Sequence, residues 1–268
     1  MGNLDQHPCF SHRAHFRWGR IHLPVAPACN IQCAFCDRKY DCPNESRPGV
    51  TSRVLTPGEA LERTAQAIQA EPRILTVGIA GPGEPLANPQ TLETFRLVKE
   101  AFPQLNLCVS TNGLCLPEQV KALKEVGVGT LTVTINSLTP AVGARIYEFV
   151  TDPVSGQRLR GEEGAALLQK CQQEGLRLAV EAGMTVKINS VLIPGVNDGE
   201  IPGIAAIGRR AGAYIMNVMP LIPCGRMHSY AAPSAEQVQA VRHAAGEYLP
   251  QFLLCKQCRA DACGIPGL

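Results

Sequence analysis

Along the chain, short runs of consecutive apolar residues alternate with stretches in which apolar positions recur every three or four residues, the patterns of buried strands and amphipathic helices. The first apolar run, residues 21–25, leads into a cysteine-rich loop. Thr56, Pro57 and Glu59 then start a helix, with a Thr-x-x-Glu capping box and proline at the first helical position, and Leu61, Ala65 and Ile68 follow on one face. Residues 74–80 (ILTVGIA) read as a buried strand and residues 81–85 (GPGEP) as a tight loop; the next helix starts at Asn88-Pro89 and buries Leu92, Phe95 and Val98. The alternation continues through a strand at 105–111, a helix at 117–126, a strand at 131–136, a helix within 162–183, a strand at 186–192, a helix around 201–211 and a strand at 214–221. Ser234 and Gln237 form a capping pair ahead of a last helix with Val238, Val241, Ala245 and Tyr248 on one side. Residues 139–161, with VTDPVSG at their centre, read as a turn-rich insertion, and the tail FLLCKQCRADACGIPGL as irregular.

Six strands alternating with helices imply an α/β fold built on a parallel sheet with right-handed crossovers. A doubly wound sheet and an open or partial barrel both fit this order, and in either case active groups gather beyond the carboxyl ends of the strands. The odd polar residues cluster there: the cysteine loop after the first strand, Gly83 and Glu84 after the second, Ser110, Thr111 and Asn112 at the third, Asn136 and Ser137 at the fourth, Asn189 and Ser190 at the fifth. A barrel rim is the economical explanation.

Composition removes several classes of function. At 268 residues the chain makes one large domain or two small ones, and a net charge of +2 with 18% charged residues sets up no field that would drive nucleic-acid binding. No apolar run approaches the roughly 18 residues needed to span a bilayer. The N-terminal stretch MGNLDQHPCFSHRAHFRWGR lacks the apolar core of a signal peptide, so a cytoplasmic protein is expected. In that compartment twelve cysteines are better explained by metal than by disulfides.

Cys29, Cys33 and Cys36 form a Cys-x3-Cys-x2-Cys run. Three thiolates on one short loop can ligate three irons of a cubane 4Fe-4S cluster, and no fourth cysteine stands at a spacing that obviously completes the set. An iron left without a protein ligand can bind a small molecule. Structural zinc, the plainer reading, usually takes its cysteines in pairs. With Phe35 between the second and third cysteines, the loop resembles the signature of the radical S-adenosylmethionine (SAM) enzymes, and GPGEP resembles their Gly-Gly-Glu-Pro motif, with Pro82 in place of the first glycine. The resemblance implies that the cluster is chelated by the methionine moiety of SAM and that Gly83 and Glu84 hold its ammonium. It makes Ser110, Thr111, Asn112, Asn136 and Asn189 candidates for carboxylate and ribose contacts, and Met219 a candidate for the adenine pocket. Taken singly, Glu84 fits a solvated turn residue, each of the polar five an Asx turn or helix cap, and Met219 a core residue.

Nine further cysteines exceed what such a site needs. His7 and Cys9 stand in HPCFS, Cys42 six residues beyond the motif, Cys108 in a strand, and Cys255, Cys258 and Cys263 in the tail; Cys115, Cys171 and Cys224 read as structural. An isolated Cys-x2-Cys such as Cys255 and Cys258 usually takes further metal ligands from elsewhere, which His7 and Cys9 can supply. The HPCFS segment, the run GRIHLPVAPACNIQCAFCDRKYDCPNESRPGVTS and the cysteine tail are together similar to the NifB family of radical SAM proteins, over essentially the whole chain. The chain ends just after the cysteine tail, which resembles the stand-alone form without a C-terminal carrier domain.

That resemblance implies a radical SAM partial (β/α)6 TIM-like barrel over residues 21–250, with irregular cysteine-bearing extensions at 1–20 and 251–268. It implies an enzyme that fuses two 4Fe-4S substrate clusters into the 8Fe-9S precursor of the nitrogenase cofactor, with a central carbide from the SAM methyl group and a ninth sulfur from outside. Cys29, Cys33 and Cys36 would hold the SAM-binding 4Fe-4S cluster, and His7, Cys9, Cys42, Cys108, Cys255 and Cys258 are candidates for the two substrate clusters. No catalytic side chain is assigned beyond the cluster and SAM. Implied partners are iron–sulfur cluster donors, a reductant and a cofactor carrier or nitrogenase assembly scaffold. Glu45, in the polar loop 44–47, is a candidate gate over the open iron, with a solvent-exposed glutamate as the alternative. Competing readings are a radical SAM enzyme that modifies peptides or proteins using auxiliary 4Fe-4S clusters, a non-enzymatic iron–sulfur carrier, and a structural zinc protein.

Overall fold

The apolar runs pair into one open sheet. The computed structural model describes residues 4–45 and 49–268. In chain order the elements are α1 (His12–His15), β1 (Gly19–His22), β2 (Ile31–Cys33), α2 (Pro57–Ala70), β3 (Ile74–Ile79), α3 (Gln90–Ala101), β4 (Asn106–Thr111), α4 (Leu116–Glu125), β5 (Val128–Thr134), α5 (Pro140–Ile146), β6 (Tyr147–Thr151), β7 (Arg158–Leu159), α6 (Gly161–Glu181), β8 (Thr185–Leu192), α7 (Ile201–Ala211), β9 (Ile215–Pro220), α8 (Ala235–Gly246) and β10 (Cys263–Gly264). The large sheet has the order β10-β1-β3-β4-β5-β8-β9; β10 is antiparallel to β1, and the other neighbours are parallel. Among the described residues β1 and β9 do not pair, so the six βα units form a partial (β/α)6 barrel. The regular part of β1 stops before Pro24, which has no N–H for the ladder.

Side-chain parity divides each strand between two buried faces. Ile21, Val77, Val109, Leu131, Val186 and Ile188 point outward and pack beneath the helices, each contributing roughly 1.5–3 kcal/mol through burial. Arg20, His22, Cys108, Ser110, Lys187 and Asn189, on the alternate positions, line the inside of the half-barrel. Both expected capping boxes form, Thr56 with Glu59 and Ser234 with Gln237. On α2, however, the buried stripe is Ala60, Thr64 and Ala67, with Leu61 and Ile68 partly covered and Ala65 exposed. Small residues there let the helix lie close to its neighbours. Tyr248 falls beyond the end of α8 at Gly246 and is exposed.

Residues 139–161 are more than a turn-rich insertion. Thr139 caps α5, and β6 pairs antiparallel with both β2 and β7, the DPVSG segment being the hairpin turn held by Asp152. The resulting three-stranded sheet, β2-β6-β7, grips the cysteine loop, and Phe35, Ile146, Tyr147 and Val150 form a second core beneath it. The tail is likewise not wholly irregular, since β10 pairs Gly264 with Arg20 and Cys263 with Ile21. The two ends of the chain meet: the ring of His15 lies 5.9 Å from that of Phe252, and Gly267 N donates to His15 O at 3.1 Å. Among the described residues no helix is long and apolar enough to cross a membrane.

Candidate functional site

Cys29, Cys33 and Cys36 wall one pocket at the mouth of the half-barrel, together with Cys42, Gly83, Glu84, Ser110, Thr111 and Asn112. The loop is shaped by its own polar groups. Cys36 N donates to Cys33 O at 3.0 Å, and Gln32 Nε2 donates to the carbonyls of Cys33 (3.1 Å) and Cys36 (2.9 Å). Arg38 Nε in turn holds Gln32 Oε1 at 2.7 Å. Asn44 Nδ2 faces two sulfurs, Cys33 Sγ at 3.5 Å and Cys42 Sγ at 3.8 Å. Burial raises all four thiols, that of Cys36 to about 11, and the sulfurs repel one another as thiolates. A cation is therefore needed to hold them ionised together.

The GPGEP turn is stitched to this loop as an extra ladder: Gly83 N donates to Ala26 O at 2.6 Å and Glu84 N to Ala28 O at 2.8 Å. A Cβ on Gly83 would stand 2.4 Å from Ala28 O and 2.7 Å from Pro27 O, so only glycine permits the approach. Glu84 is buried, not solvated. Its carboxylate accepts from Thr111 Oγ1 (2.5 Å), Asn112 N (2.7 Å) and Leu86 N (3.0 Å). Burial outweighs these bonds and pushes its pKa up to about 7, which favours a cationic partner.

The candidate polar residues divide. Ser110, Thr111 and Asn112 line the pocket, although the Asn112 side chain is already held by Asn30 Oδ1 (2.7 Å) and Leu114 N (2.9 Å). Asn136 lies behind the wall, donating to Asn44 Oδ1 at 3.0 Å and accepting from Val191 N at 2.8 Å. Asn189 faces the inner cavity instead. Met219 is buried in the second core beside Cys33 and Phe35. Glu45 is half-buried between Thr134 Oγ1 and Asn189 Nδ2, which corrects the solvent-exposed alternative, and desolvation lifts its carboxyl to about 7. Arg47 of its loop lies outside the described residues.

A second cavity fills the half-barrel behind the first pocket. His7 and Cys9 from the N-terminal segment, Cys108 from β4, and Cys255 and Cys258 from the tail all line it. Cys42 does not; it belongs to the first pocket. Desolvation holds His7 and His22 neutral, each at about 3. His7 Nε2 is buried with no hydrogen-bond partner. His22 points Nδ1 at Arg259 O (3.2 Å), an acceptor, which leaves Nε2 with its lone pair. Sequence reading missed His22, Arg20 and Lys187, and the signal that would have found them is polar residues at alternate positions of otherwise apolar strands. Arg20 Nη2 donates to Cys258 Sγ at 2.7 Å and Nη1 to Gly264 O at 2.8 Å, fixing the tail to β1. Cys115 accepts from Asn30 Nδ2 at 3.2 Å, Cys171 packs on the second core, and Cys263 is exposed on β10.

Among the described residues no three His, Cys, Asp or Glu side chains converge closely enough to hold a single metal ion. The thiols instead stand around the walls of two pockets, an arrangement that fits a group of several irons.

Residues 23–206 match the Radical SAM superfamily. The fold agrees with that class: a solved radical SAM methyltransferase from Sphaerobacter thermophilus superposes with a TM-score of 0.55 at 21% identity, over 88% of this chain and 64% of that one. The FeMo cofactor biosynthesis protein NifB of Klebsiella pneumoniae is 48% identical over 97% of this chain, which spans 57% of that relative's length. The protein of the same name from Methanocaldococcus infernus is 43% identical over 98% of this chain and 86% of its own. Within the Radical SAM superfamily, the chain belongs to the NifB family.

Proposed function

We propose that the chain is a radical SAM enzyme that fuses two 4Fe-4S substrate clusters, with a SAM-derived carbide and one added sulfur, into the 8Fe-9S-C precursor of the nitrogenase cofactor. One observation carries the reading: the three-cysteine pocket and the inner cavity of thiols and imidazoles share Glu45 and Ser110 as common wall. A radical source and an iron–sulfur substrate would thus be neighbours, separated by two side chains.

Cys29, Cys33 and Cys36 would hold the SAM-binding cluster. When bound, cluster and SAM supply the electron and the carbon centre for radical chemistry. Glu84, pinned by Thr111 and Asn112, receives the SAM ammonium as a charge-assisted hydrogen bond. Ser110 offers its hydroxyl to the rest of the molecule, while Thr111, whose hydroxyl is given to Glu84, and Asn112 order the loop. His7, Cys9, Cys108, Cys255 and Cys258 present the substrate clusters, with Cys42 on the SAM side of the wall. Incomplete protein ligation suits a cluster that must open to fuse and then leave. Glu45, standing in the shared wall, would shield the first pocket until SAM enters. Iron–sulfur cluster donors and a reductant would supply the site, and a cofactor carrier or nitrogenase assembly scaffold would take its product.

The test is anaerobic reconstitution with counted iron, then reduction with SAM labelled in its methyl group. Label is expected in a cluster that restores cofactor-deficient nitrogenase. Label confined to methionine and small organic products, with all clusters intact after turnover, would favour the peptide-modifying alternative.

A further inference from the structure

Lys187 stands inside the half-barrel, 6% exposed. Its ammonium lies 5.0 Å from the ring centroid of Phe10 and 5.7 Å from that of Phe252, and makes one long hydrogen bond, 3.4 Å, to Cys9 O. Among the described residues it joins no ion pair. Among the described residues Glu45 is the one carboxylate lining the same cavity; the charge of Lys187 acts on it but the two make no ion-pair contact, and its oxygens accept from Thr134 and Asn189. Arg20, the other buried cation, is already engaged by Cys258 Sγ and Gly264 O. An ammonium has three donors, and removing one from water is costly unless an anion meets it. One long hydrogen bond and two ring faces leave two of its N–H groups without a hydrogen-bond acceptor.

The neighbours define which anion is missing. The charge of Lys187 acts on Cys9, Cys108 and His7, which are soft or borderline metal ligands and face the same space. We infer that Lys187 is the electrostatic anchor of this cavity, its ammonium holding an anionic, sulfide-bearing iron–sulfur cluster and its larger product by charge and N–H···S contact. This rests on the proposed reading of the cavity as an iron–sulfur substrate site. Such a hold does not depend on which thiol is attached to which iron. It therefore persists while coordinate bonds are exchanged, which a set of cysteines alone cannot do.

The experiment compares the full chain with Lys187→Met, which keeps length and apolar bulk but removes the charge, and with Lys187→Arg, which restores it. Metal-free protein is melted anaerobically; reconstituted protein is challenged with an iron chelator and titrated by electron paramagnetic resonance, with the SAM-responsive cluster distinguished by its spectral change on SAM addition. In the Met variant the metal-free melting temperature is expected to rise, because an unpaired buried charge is gone. Iron outside the SAM-responsive cluster is expected to be lost at least tenfold faster, and its reduction potential to become more negative; arginine reverses both. A Met variant that fails to fold, or is less stable metal-free, would show a structural lysine and overturn the inference. So would cavity iron retained as in the parent at an unchanged potential. If the parent itself holds iron at the three-cysteine loop alone, the proposed function falls together with the inference; if the parent holds cavity iron and the Met variant matches it, the inference falls by itself.

Discussion

Asn189 Nδ2 donates to Glu45 Oε2 at 2.9 Å, tying the polar end of the cysteine segment to the inner face of β8. Two residues 144 positions apart in the chain are thereby joined where the three-cysteine pocket and the inner cavity meet, Glu45 lining both and Asn189 the inner one. The carboxylate is held from both sides, by Asn189 and by Thr134, and desolvation raises its pKa to about 7.

Glu45→Gln tests that desolvation through its pH dependence. Because the folded carboxyl sits at about 7, above its unfolded value of 4.5, the folded state binds the proton more tightly. Stability due to Glu45 is then full below about pH 4.5, declines as pH rises through 7, and is flat above. His7 and His22, depressed to about 3, tilt the whole protein the other way between pH 3 and 6.5, so the difference between variant and parent is the measurement. The metal-free variant should gain on the parent between pH 4.5 and 8 by up to about 3 kcal/mol. A difference constant with pH in anaerobic melts would mean that Glu45 is solvated. If Glu45 also gates, the variant should show an altered spectrum of the SAM-free cluster.

Gly83→Ala should act through the backbone. The added methyl meets the carbonyls of Ala28, Pro27 and Ala26 at 2.4, 2.7 and 2.9 Å, none of which can turn aside as a side chain does. A stability loss of about 1–3 kcal/mol is expected, with SAM binding weakened at least tenfold by equilibrium dialysis. Unchanged affinity would dissociate the GPGEP turn from SAM.

Cys33→Ala separates the two sites. Cys33 is 4% exposed and packs in the second core, so alanine costs about 1–2 kcal/mol while the inner cavity keeps its ligands. Reductive SAM cleavage should be abolished and part of the iron retained. Loss of all iron together would show that the two pockets load as one.

Much of this organisation is carried by local chemistry. Thr56 with Glu59, and Ser234 with Gln237, cap their helices because a hydroxyl three residues before a carboxylate or amide satisfies free N–H groups wherever it occurs. The six parallel strands follow from apolar runs of strand length, and the three thiols are adjacent because the covalent chain makes them so. Residues 139–161 read as loose because β6 and β7 are short and interrupted by a turn; their order comes from pairing with β2, more than a hundred positions earlier.

The sequence by itself determined the alternating βα order, the helix starts, the clustered cysteines and the glycine-glutamate turn, all of which depend on neighbours within a few residues. Only the tertiary structure decided that Cys9, Cys108 and Cys258 face one cavity, that Glu45 stands half-buried in its wall, and that Lys187 joins no ion pair among the described residues. Those facts depend on closing contacts between distant parts of the chain, such as Arg20 with Cys258, 238 positions away, and on which parity of each strand turns inward. Local propensity is blind to both, since either face of a doubly covered strand is dry and only packing of the whole sheet distinguishes core from cavity.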